Sequence, residues 1–504
     1  MKTGHISASG FSGLYRPSTC EKRVFLLAHE KLEGEPSELD LALRELGERH
    51  EKEHLSIFPA HRNLGEGSLA DRAQRTRDAV RDRAPVIYQG VLRAALPGSQ
   101  DIVTGIPDFM ILDGASHGVL PYRIRDCKLS QSVREGKHPE IAHQLQTYGW
   151  LFERTFGSRP VALEVYLGNR SIDTIVYAGG RSAERELGRL RNLSLLPDEP
   201  WEPVGWSKCE ACPFQERCWS SAARGHDVSI VYGVDQASAR ALRGIGIRTY
   251  DQLLQKMDDE RLAGVSRPRG IGEQRIGSAA SRILSQARAL ATGNVVRIGA
   301  LDLPAGPTVM FDLEGMPPQD EEQDMVYLWG TQVYDNGKPL GPYRGALAAF
   351  GPDGDRAGWR EFLRNAADVF RRHGTPPFVH WAGYEPARVK SYIERYGDDD
   401  GIAARVLKNC FDLLKAIRDA FALPVPSYGL KAVERFCGFR RTMEDYGGDW
   451  SIGRYLTASG IADEAERSRI MAEIERYNEE DLQAMAAIFT WAKTISVDRS
   501  TRET

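Results

Sequence analysis

The sequence contains no run of about 18 consecutive apolar residues, roughly the shortest stretch that crosses a bilayer as a helix. Its start, MKTGHISASG, is too polar for a secretory signal. Both absences predict a cytoplasmic protein that has no membrane partner. The composition, 41% hydrophobic and 27% charged, is typical of a soluble protein, and 504 residues suffice for about three domains.

Cysteine is also scarce, with seven residues in 504, which excludes a dense disulfide framework. In a reducing compartment, clustered thiols are expected to bind metal rather than one another. Three of the seven lie in KCEACPFQERC at 208–218, where Cys209 and Cys212 form a C-x2-C step and Cys218 follows after five residues. This spacing predicts a loop that wraps around a single metal centre.

Three thiolates need a fourth ligand, and Cys20 is the candidate. It lies in YRPSTCEKRVFLLAHE, where Pro17 and Ser18 mark a turn before an amphipathic helix. A ligand so far from its partners would clasp the first domain end to end, which gives the metal a structural role. Four thiolates fit zinc or a 4Fe-4S cluster, and spacing does not choose between them. The other cysteines are interpreted as ordinary buried thiols: Cys127, Cys410 and Cys437.

A strong charge of one sign is absent too, since the net charge is -4. This balance does not exclude nucleic-acid binding, because carboxylates that bind metal offset basic grooves that bind phosphate. Two basic segments, at 72–83 and 266–275, are candidates for such a groove. Taken alone, each is more typical of a solvated helix or loop face.

Between Cys20 and Cys209 the sequence predicts a helix, two strands and a second helix. A D-x-K pattern on a strand or a single histidine on a helix is a weak signal by itself, but the order of the segments is informative. They are LGERHEKEH at 46–54, TGIPDFMILDG at 104–114, YRIRDCKLSQS at 122–132 and HQLQTYGWLFE at 143–153.

Acidic and basic side chains converge on the second predicted strand. Asp126 and Lys128 are two residues apart and therefore leave the same face of the strand. Asp108, in the preceding segment, supplies a second carboxylate. The two carboxylates would hold Mg²⁺ while Lys128 orients or polarises an attacking water. Gln144 and Tyr148, four residues apart, share one face of the second helix.

The succession of His50, GIPD, DCK, QLQTY and C-x2-C-x5-C resembles the RecB-type nucleases of the PD-(D/E)XK superfamily. It is more closely similar to the iron-sulfur branch that contains the CRISPR-associated RecB-like exonucleases and the AddB nuclease domain. By this resemblance Lys128 is the catalytic lysine, and Gln144 and Tyr148 contact DNA or support the site. The resemblance also implies a divalent-metal site formed by His50, Asp108 and Asp126, and a 4Fe-4S site formed by Cys20, Cys209, Cys212 and Cys218.

The middle of the chain carries a weak internal repeat. Two predicted helical stretches, 233–257 and 264–290, are each interrupted by Gly-Ile-Gly, at 244–246 and 270–272. This pattern resembles helix-hairpin-helix modules, which bind the DNA backbone through hairpin amides and basic residues. The alternative is a helical linker with glycine turns. The candidate nucleic-acid contacts are Arg243, Arg248, Arg269 and Arg275.

The C-terminal third places acids on separate predicted elements. Asp312 and Glu314 leave one face of the apolar strand GPTVMFDLEGMP, and such a buried pair is costly unless a cation neutralises it. Glu385 lies near a helix start, and Tyr477 and Asp481 lie one turn apart on the last helix. These acids suit two-metal phosphodiester hydrolysis with Tyr477 positioning the water.

This arrangement resembles RNase H-like 3′ to 5′ exonucleases of the DEDD type, in particular the RNase H-like domain fused to RecB-like nucleases. Lys431, in SYGLKAVERFCGF, is then a candidate phosphate contact. One position departs from the family pattern, since Glu385 stands where these enzymes carry aspartate, and Asp412 is the available substitute. The alternative is a degenerate RNase H-like scaffold that only binds or docks.

We therefore expect an α/β multidomain protein: a PD-(D/E)XK restriction-endonuclease-like domain at 1–225, a helix-hairpin-helix connector at 226–296, an RNase H-like domain at 297–497 and a disordered tail at 498–504. The expected cofactors are a 4Fe-4S cluster, with zinc as the alternative, and Mg²⁺ or Mn²⁺. The expected activity is exonucleolytic processing of DNA ends in repair or antiviral defence, with RNA or an RNA-DNA hybrid as further substrates. The alternatives are a single active centre beside a passive clamp, and a non-catalytic nucleic-acid-binding adaptor.

Overall fold

The computed structural model of the protein describes residues 4–30, 38–114, 120–133, 138–270, 272–316, 325–351, 353–443 and 447–497. Within these ranges the strands form five sheets, so the protein is mixed α/β. Across the same ranges, no helix is long and apolar enough to cross a membrane. The predicted disordered tail at 498–504 lies outside the described residues.

The N-terminal part contains a six-stranded and a three-stranded sheet, in the orders β2-β3-β6-β7-β8-β9 and β1-β5-β4. Strands β7 and β8 are parallel, and the neighbouring pairs β6-β7 and β8-β9 are antiparallel. The strands are β1 His5–Ser7, β2 Arg62–Asn63, β3 Val86–Tyr88, β4 Leu92–Ala95, β5 Ile102–Gly105, β6 Phe109–Leu112, β7 Tyr122–Lys128, β8 Ala162–Leu167 and β9 Ile172–Ile175. The helices are α1 Phe11–Tyr15, α2 Glu21–His29, α3 Glu38–Ser56, α4 Leu69–Arg81, α5 Pro139–Phe156 and α6 Arg181–Ser194.

Helix α5 packs across both sheets and closes the N-terminal core. It begins with Pro139, whose fixed φ suits the first helical turn, and it ends at Gly157, whose φ of 66° is left-handed. Its tight seat on β5 requires Gly105, because a Cβ there would lie 2.7 Å from side-chain atoms of Tyr148 and Leu151. The helix therefore has a defined position relative to β5, and it also contacts β7, the strand that carries Asp126.

The middle part is helical with one β-hairpin. Its first Gly-Ile-Gly forms the predicted turn, since α9 ends there, Gly246 has a φ of 82°, and Thr249 caps the next helix. The helical prediction for 264–275 is wrong, because β10 and β11 pair there as an antiparallel hairpin. Pro268 explains the difference, because proline disfavours the helical conformation of the residue before it and breaks a helix interior. The elements are α7 Trp206–Cys209, α8 Gln215–Arg224, α9 Gln236–Gly244, α10 Tyr250–Lys256, α11 Asp259–Gly264, β10 Ser266–Arg269, β11 Gly272–Arg275, α12 Ala280–Thr292 and β12 Val296–Arg297.

The C-terminal part is built on a six-stranded sheet of order β15-β14-β13-β17-β18, in which β16 also pairs with β14. The pair β13-β14 is antiparallel, whereas β17 runs parallel to both β13 and β18. The strands are β13 Thr308–Met316, β14 Met325–Asp335, β15 Lys338–Pro339, β16 Arg344–Leu347, β17 Phe378–His380, β18 Cys410–Asp412 and β19 Phe421–Ala422. The helices are α13 Asp355–His373, α14 Tyr384–Tyr396, α15 Ile402–Lys408, α16 Leu413–Ala420, α17 Leu430–Phe436, α18 Gly448–Gly460 and α19 Glu464–Val497.

The alternation of side chains along β13 determines which residues face the site. Val309, Phe311 and Leu313 join the core formed with α13, α14 and α15. Met310 joins the opposite core, where α16, α17 and α19 pack. Because successive strand residues alternate in direction, Asp312 and Glu314 also point towards α19.

We expect Phe362→Ala to lower the free energy of unfolding of the C-terminal part by about 3–5 kcal/mol, because it opens a cavity in a fully buried aromatic cluster. Phe362 is 0% exposed and its ring lies 5.3 Å from that of Phe311 and 4.8 Å from that of Trp329. Denaturant unfolding followed by near-UV circular dichroism measures the change. Leu340→Ala, at a side chain 50% exposed, is the control and should stay within about 0.5 kcal/mol of wild type.

Candidate metal centres

Three carboxylates of the C-terminal part converge into one cluster, which we call the acid trio: Asp312, Glu314 and Asp481. One carboxylate oxygen from each lies within 4.8 Å of the others. Asp312 and Glu314 come from β13, and Asp481 comes from α19. Carboxylate oxygens are the ligands that Mg²⁺ and Mn²⁺ prefer, so the donor set and its spacing fit a divalent cation. The metal-ligand role of each residue stays a prediction.

Burial and mutual repulsion make the acid trio costly without a cation. Burial, followed by the charges of Asp481 and Glu314, raises the pKa of Asp312 well above its usual range. Burial and Asp481 raise the pKa of Glu314 to about 8. Burial also raises the pKa of Asp481, although Arg441 opposes this effect. At neutral pH a divalent cation would favour the fully ionised form that repulsion disfavours.

Asn478 bridges the two strand-borne acids, and it has no counterpart among the sequence predictions. Its side-chain Nδ2 donates to Asp312 Oδ2 at 2.7 Å and approaches Glu314 Oε1 at 3.4 Å, while its Oδ1 accepts from the Tyr343 hydroxyl at 3.0 Å. Asn478 is 0% exposed, and Gly330 leaves it room, because a Cβ at that position would overlap the Asn478 Oδ1. The amide is thus held against both carboxylates.

Arg441 is a second residue that the sequence did not indicate. Its guanidinium donates to Asp481 Oδ1 at 2.5 Å and to Glu434 Oε1 at 2.6 Å, and its side chain is 3% exposed. Two buried carboxylates therefore share one buried arginine. Asn478 could have been suspected, because it is a polar residue beside Tyr477 on the inner face of α19. No spacing rule links Arg441 to Asp481, forty residues away.

Glu385 lies near the acid trio but is not one of the three residues whose oxygens lie within 4.8 Å of one another. It is 3% exposed in the first turn of α14, its charge raises the pKa of Asp312, and its Oε2 lies 3.5 Å from His380 Nδ1. Burial lowers the His380 pKa, but hydrogen bonds to Cys410 and Glu385 outweigh burial and raise it to about 10. Asp412 caps α16, because its Oδ1 accepts from the Lys415 backbone N–H, and its charge raises the pKa of Glu385. The role of Glu385 as a metal ligand, with Asp412 as the substitute, stays a prediction.

Tyr477 and Lys431 stand beside the trio. Tyr477 is 5% exposed, and burial and then Asp481 and Glu314 raise its pKa. The Lys431 ammonium lies 5.8 Å from the centre of the Tyr477 ring. Burial and then Arg441 lower the Lys431 pKa, which Asp481 opposes. Their roles in water positioning and phosphate contact stay predictions.

The N-terminal part brings Asp108, Asp126 and Lys128 together at the start of β6 and the end of β7. The Asp108 backbone N–H approaches Asp126 Oδ1 at 3.4 Å, the Cys127 N–H donates to Asp108 Oδ2 at 2.7 Å, and Lys128 Nζ lies 2.6 Å from Asp126 Oδ2. Burial, then Asp126 and Glu51, raises the Asp108 pKa. Burial lowers the Lys128 pKa, but Asp126 and Asp108 outweigh it and raise that pKa.

Glu51 and Gln89 belong to this N-terminal cluster, although the sequence did not indicate them. The Gln89 Nε2 donates to Glu51 Oε1 at 2.6 Å and to Asp108 Oδ1 at 3.1 Å. Gln89 has a φ of 56°, a conformation rare for a residue with a side chain and one that clusters at functional sites. His50 instead stacks on Tyr166, with ring centres 4.8 Å apart and its Nε2 3.4 Å from the Tyr166 carbonyl oxygen. Its role as a metal ligand stays a prediction.

Gln144 and Tyr148 lie one turn apart on α5 and contact each other, since Gln144 Nε2 donates to the Tyr148 hydroxyl at 2.6 Å. That hydroxyl in turn donates to the Ile106 carbonyl at 3.2 Å. Burial, then Asp126 and Asp108, raises the Tyr148 pKa. The tyrosine is 3% exposed, so the observed contacts are those of a residue that supports the loop before Asp108.

The four predicted cysteine ligands lie near one another. Cys20 precedes α2, and the Ser18 hydroxyl joins its segment to the cysteine loop by donating to the Lys208 carbonyl at 2.9 Å. Burial raises the pKa of Cys209, which Cys212 and Cys20 raise further. Burial and then, among the thiols, Cys20 and Cys209 raise the pKa of Cys218. Among the described residues, no three of these sulfur atoms lie within 4.8 Å of one another.

The four arginines predicted to contact DNA in the middle part differ in their exposure and in their contacts within the protein. Arg243 lies over the Trp201 ring at 4.2 Å and 3.9 Å from Asp227, so it is engaged within the protein. Arg269 donates to Gln274 Oε1 at 2.6 Å. Arg248, Arg269 and Arg275 are exposed. The binding role of all four stays a prediction.

Residues 309–493 match the family model RNase_H_2 of the RNase_H superfamily, which supports the predicted RNase H-like fold of the C-terminal part. A domain of this superfamily indicates nuclease-type activity on nucleic acids. No curated protein matches the chain. A solved chain described as "Crystal structure of SSO0001" aligns at 16% identity over 36% of this chain and 97% of that chain, with a TM-score of 0.20, too low to indicate a shared fold.

Stability should depend on pH and Mn²⁺ together, because Glu314 has a raised pKa. Its stabilising contribution is fully present below its ordinary value of 4.5 and is lost as pH rises through about 8. When a chelator removes divalent ions, thermal stability should therefore fall as the pH rises from 6 to 8. Mn²⁺ should raise the melting temperature more at pH 8 than at pH 6. Differential scanning calorimetry measures both effects.

The matched control is Glu314→Gln, which removes the titrating group. Its pH dependence should be flatter than that of wild type, and its Mn²⁺-induced shift at pH 8 should be smaller. Equal Mn²⁺ shifts in the variant and the wild type would contradict metal binding at the acid trio.

Proposed function

We propose that the protein is a metal-dependent nuclease that processes DNA ends exonucleolytically. The observation that carries the proposal is the acid trio, whose oxygens lie within 4.8 Å of one another inside the segment that matches an RNase H superfamily model. Asn478 and Arg441 compensate only part of the repulsion between these three carboxylates. A divalent cation bound between these carboxylates and a phosphodiester would neutralise the remaining charge.

The residues around the trio support hydrolysis. Divalent ions bound there would supply an activated water and neutralise charge on the phosphate. Asp312, Glu314 and Asp481 hold the ions, and Glu385 contributes from α14. Tyr477 orients the attacking water, and Lys431, at the edge of the same cluster, contacts a substrate phosphate.

We propose a second hydrolytic centre of the RecB-like PD-(D/E)XK type in the N-terminal part. Asp108 and Asp126 hold a divalent ion there, with His50 as the family's third ligand, and Lys128 is the catalytic lysine. The 2.6 Å contact between Lys128 Nζ and Asp126 supports this proposal, because it places an ammonium beside the metal-binding carboxylates. Gln144 and Tyr148 support the loop that presents Asp108.

For the cysteines we propose a 4Fe-4S cluster with a structural role. Cys20, Cys209, Cys212 and Cys218 are its ligands, and zinc held by the same four thiolates is the alternative. The cluster would tie the start of α2 to the loop after the N-terminal sheets, at the end of a domain spanning 1–225.

The connector at 226–296 would contact the DNA backbone through the exposed α9-α10 turn. Arg248 beside that turn, and Arg269 and Arg275 on the β10-β11 hairpin, are exposed and suit phosphate contacts, whereas Arg243 is held by Trp201. Backbone contacts without base readout fit a protein that processes ends irrespective of sequence, in repair or antiviral defence. RNA and RNA-DNA hybrids are the alternative substrates.

Asp312→Asn and Asp126→Asn test whether the chain holds one active centre or two. Each should remove a distinct cleavage activity on end-labelled single-stranded DNA, double-stranded DNA or RNA with Mg²⁺ or Mn²⁺. The loss should exceed the roughly 10- to 100-fold typical of residues that only support metal ligands. Asp302→Asn and Asp198→Asn, at exposed positions, are the controls.

Three outcomes separate the alternatives. If only one substitution abolishes all cleavage, the other domain is a passive clamp. Undiminished cleavage by the Asp312→Asn protein would contradict the function proposed for the trio. Binding that survives chelation of divalent ions, without turnover under any of them, would identify a non-catalytic adaptor.

Anaerobic purification tests the metal at the cysteines. A 4Fe-4S protein should be brown and contain iron and acid-labile sulfide, whereas a zinc protein should be colourless. Cys20→Ser should lose the colour and lower thermal stability, because it removes the ligand that joins α2 to the cysteine loop. Cys437→Ser, outside the group, is the control and should stay brown.

A further inference from the structure

Helix α18 contacts both nuclease-like parts of the chain. One side of it packs on β13 and α19, the elements that carry the acid trio, and on residues of β14, and another side packs on α3 of the N-terminal part. Helix α3 is also the helix that carries His50 and Glu51 towards Asp108. The two centres are therefore joined by a direct helix-helix contact, in addition to the polypeptide that connects them.

On its inner side α18 positions Ser451 against the trio. Ser451 is 0% exposed, its hydroxyl is 2.8 Å from the Tyr327 hydroxyl, and its side chain lies near enough to the Glu314 carboxyl to lower the pKa of that group. Tyr455, one turn on, stacks on Tyr327 with ring centres 4.3 Å apart. Trp450, at the start of the helix, lies 5.8 Å from the Tyr477 ring. A shift of α18 would therefore move groups that hold Glu314 and Tyr477.

On its outer side α18 lies so close to α3 that only glycine fits. A Cβ at Gly453 would lie 2.6 Å from the Leu39 backbone nitrogen and 2.7 Å from the Glu38 carbonyl carbon. These are backbone atoms of the first turn of α3, which cannot rotate away as a flexible side chain can. Arg454 bridges the same junction, 3.6 Å from Glu38 and 2.6 Å from Glu473 of α19. The contact with α3 of the first domain thus restricts the position of α18.

We propose that Ser451 is a positioning residue of the acid trio, and that the seat of α18 on α3 at Gly453 holds Ser451 in place. The acid trio then has full metal affinity only when the N-terminal part is docked on α18. This inference rests on the proposed metal binding of the trio. It predicts that a change at the domain junction, remote from any metal ligand, weakens the trio.

The test measures Mn²⁺ affinity of the full chain by electron paramagnetic resonance, in an Asp126→Asn background that silences the N-terminal centre. Ser451→Ala should weaken Mn²⁺ binding about tenfold or more, as expected for loss of a group that orients a metal ligand. Ser451→Thr, which keeps the hydroxyl, should restore part of the affinity. Gly453→Ala should give an affinity between those of wild type and Ser451→Ala.

Gly460→Ala is the matched control on the same helix, because nothing lies within 4 Å of a Cβ there. It should bind Mn²⁺ as wild type does, and near-UV circular dichroism should show all variants folded. Equal affinities of folded Gly453→Ala and Gly460→Ala proteins would overturn the coupling, as would an unchanged affinity of Ser451→Ala. If instead Asp312→Asn leaves Mn²⁺ binding intact in this background, the proposed function of the trio fails and not the coupling alone.

Discussion

Repulsion between buried carboxylates is the constraint on which the C-terminal structure depends. Asp312, Glu314 and Asp481 occupy one buried volume, and burial disfavours the charge of each. The fold supplies partial compensation through Asn478 on one side and Arg441 on the other. Both partners are themselves held in place. The Tyr343 hydroxyl bonds Asn478, for which Gly330 leaves room, and Glu434 pairs with Arg441, so the acids stay converged.

The N-terminal cluster meets the same constraint with different groups. Lys128 opposes Asp126 directly, and the Gln89 amide bridges Asp108 and Glu51. In each cluster a side-chain amide donates towards two carboxylates, and a buried or half-buried cation pairs with a third group. An amide can hold acids in place without cancelling their charge, which leaves that charge available to a divalent ion.

The two clusters are linked physically by helices that meet at a glycine. Helix α3 runs from the junction at Gly453 to Glu51, twelve residues or about 18 Å along its axis. Close backbone approach leaves little freedom for one helix to move independently of the other. The two acidic clusters are thus built on one shared frame, in which α3 and α18 pack against each other.

The local patterns were predictable because they depend on neighbours in the chain. The i, i+2 spacing of Asp312 and Glu314, the D-x-K of β7 and the one-turn spacing of Tyr477 and Asp481 follow from strand and helix periodicity. The pairing of β10 with β11 differs from the predicted helix because glycine and basic residues suit a helical linker and a β-turn alike, and only Pro268 argues against the helix. What the sequence by itself determined is therefore which acids share a face and which thiols share a loop. Only the tertiary structure decided that Arg441, Asn478, Glu51 and Ser451 accompany the acids, because those contacts join residues far apart in the chain, and no periodicity encodes long-range packing.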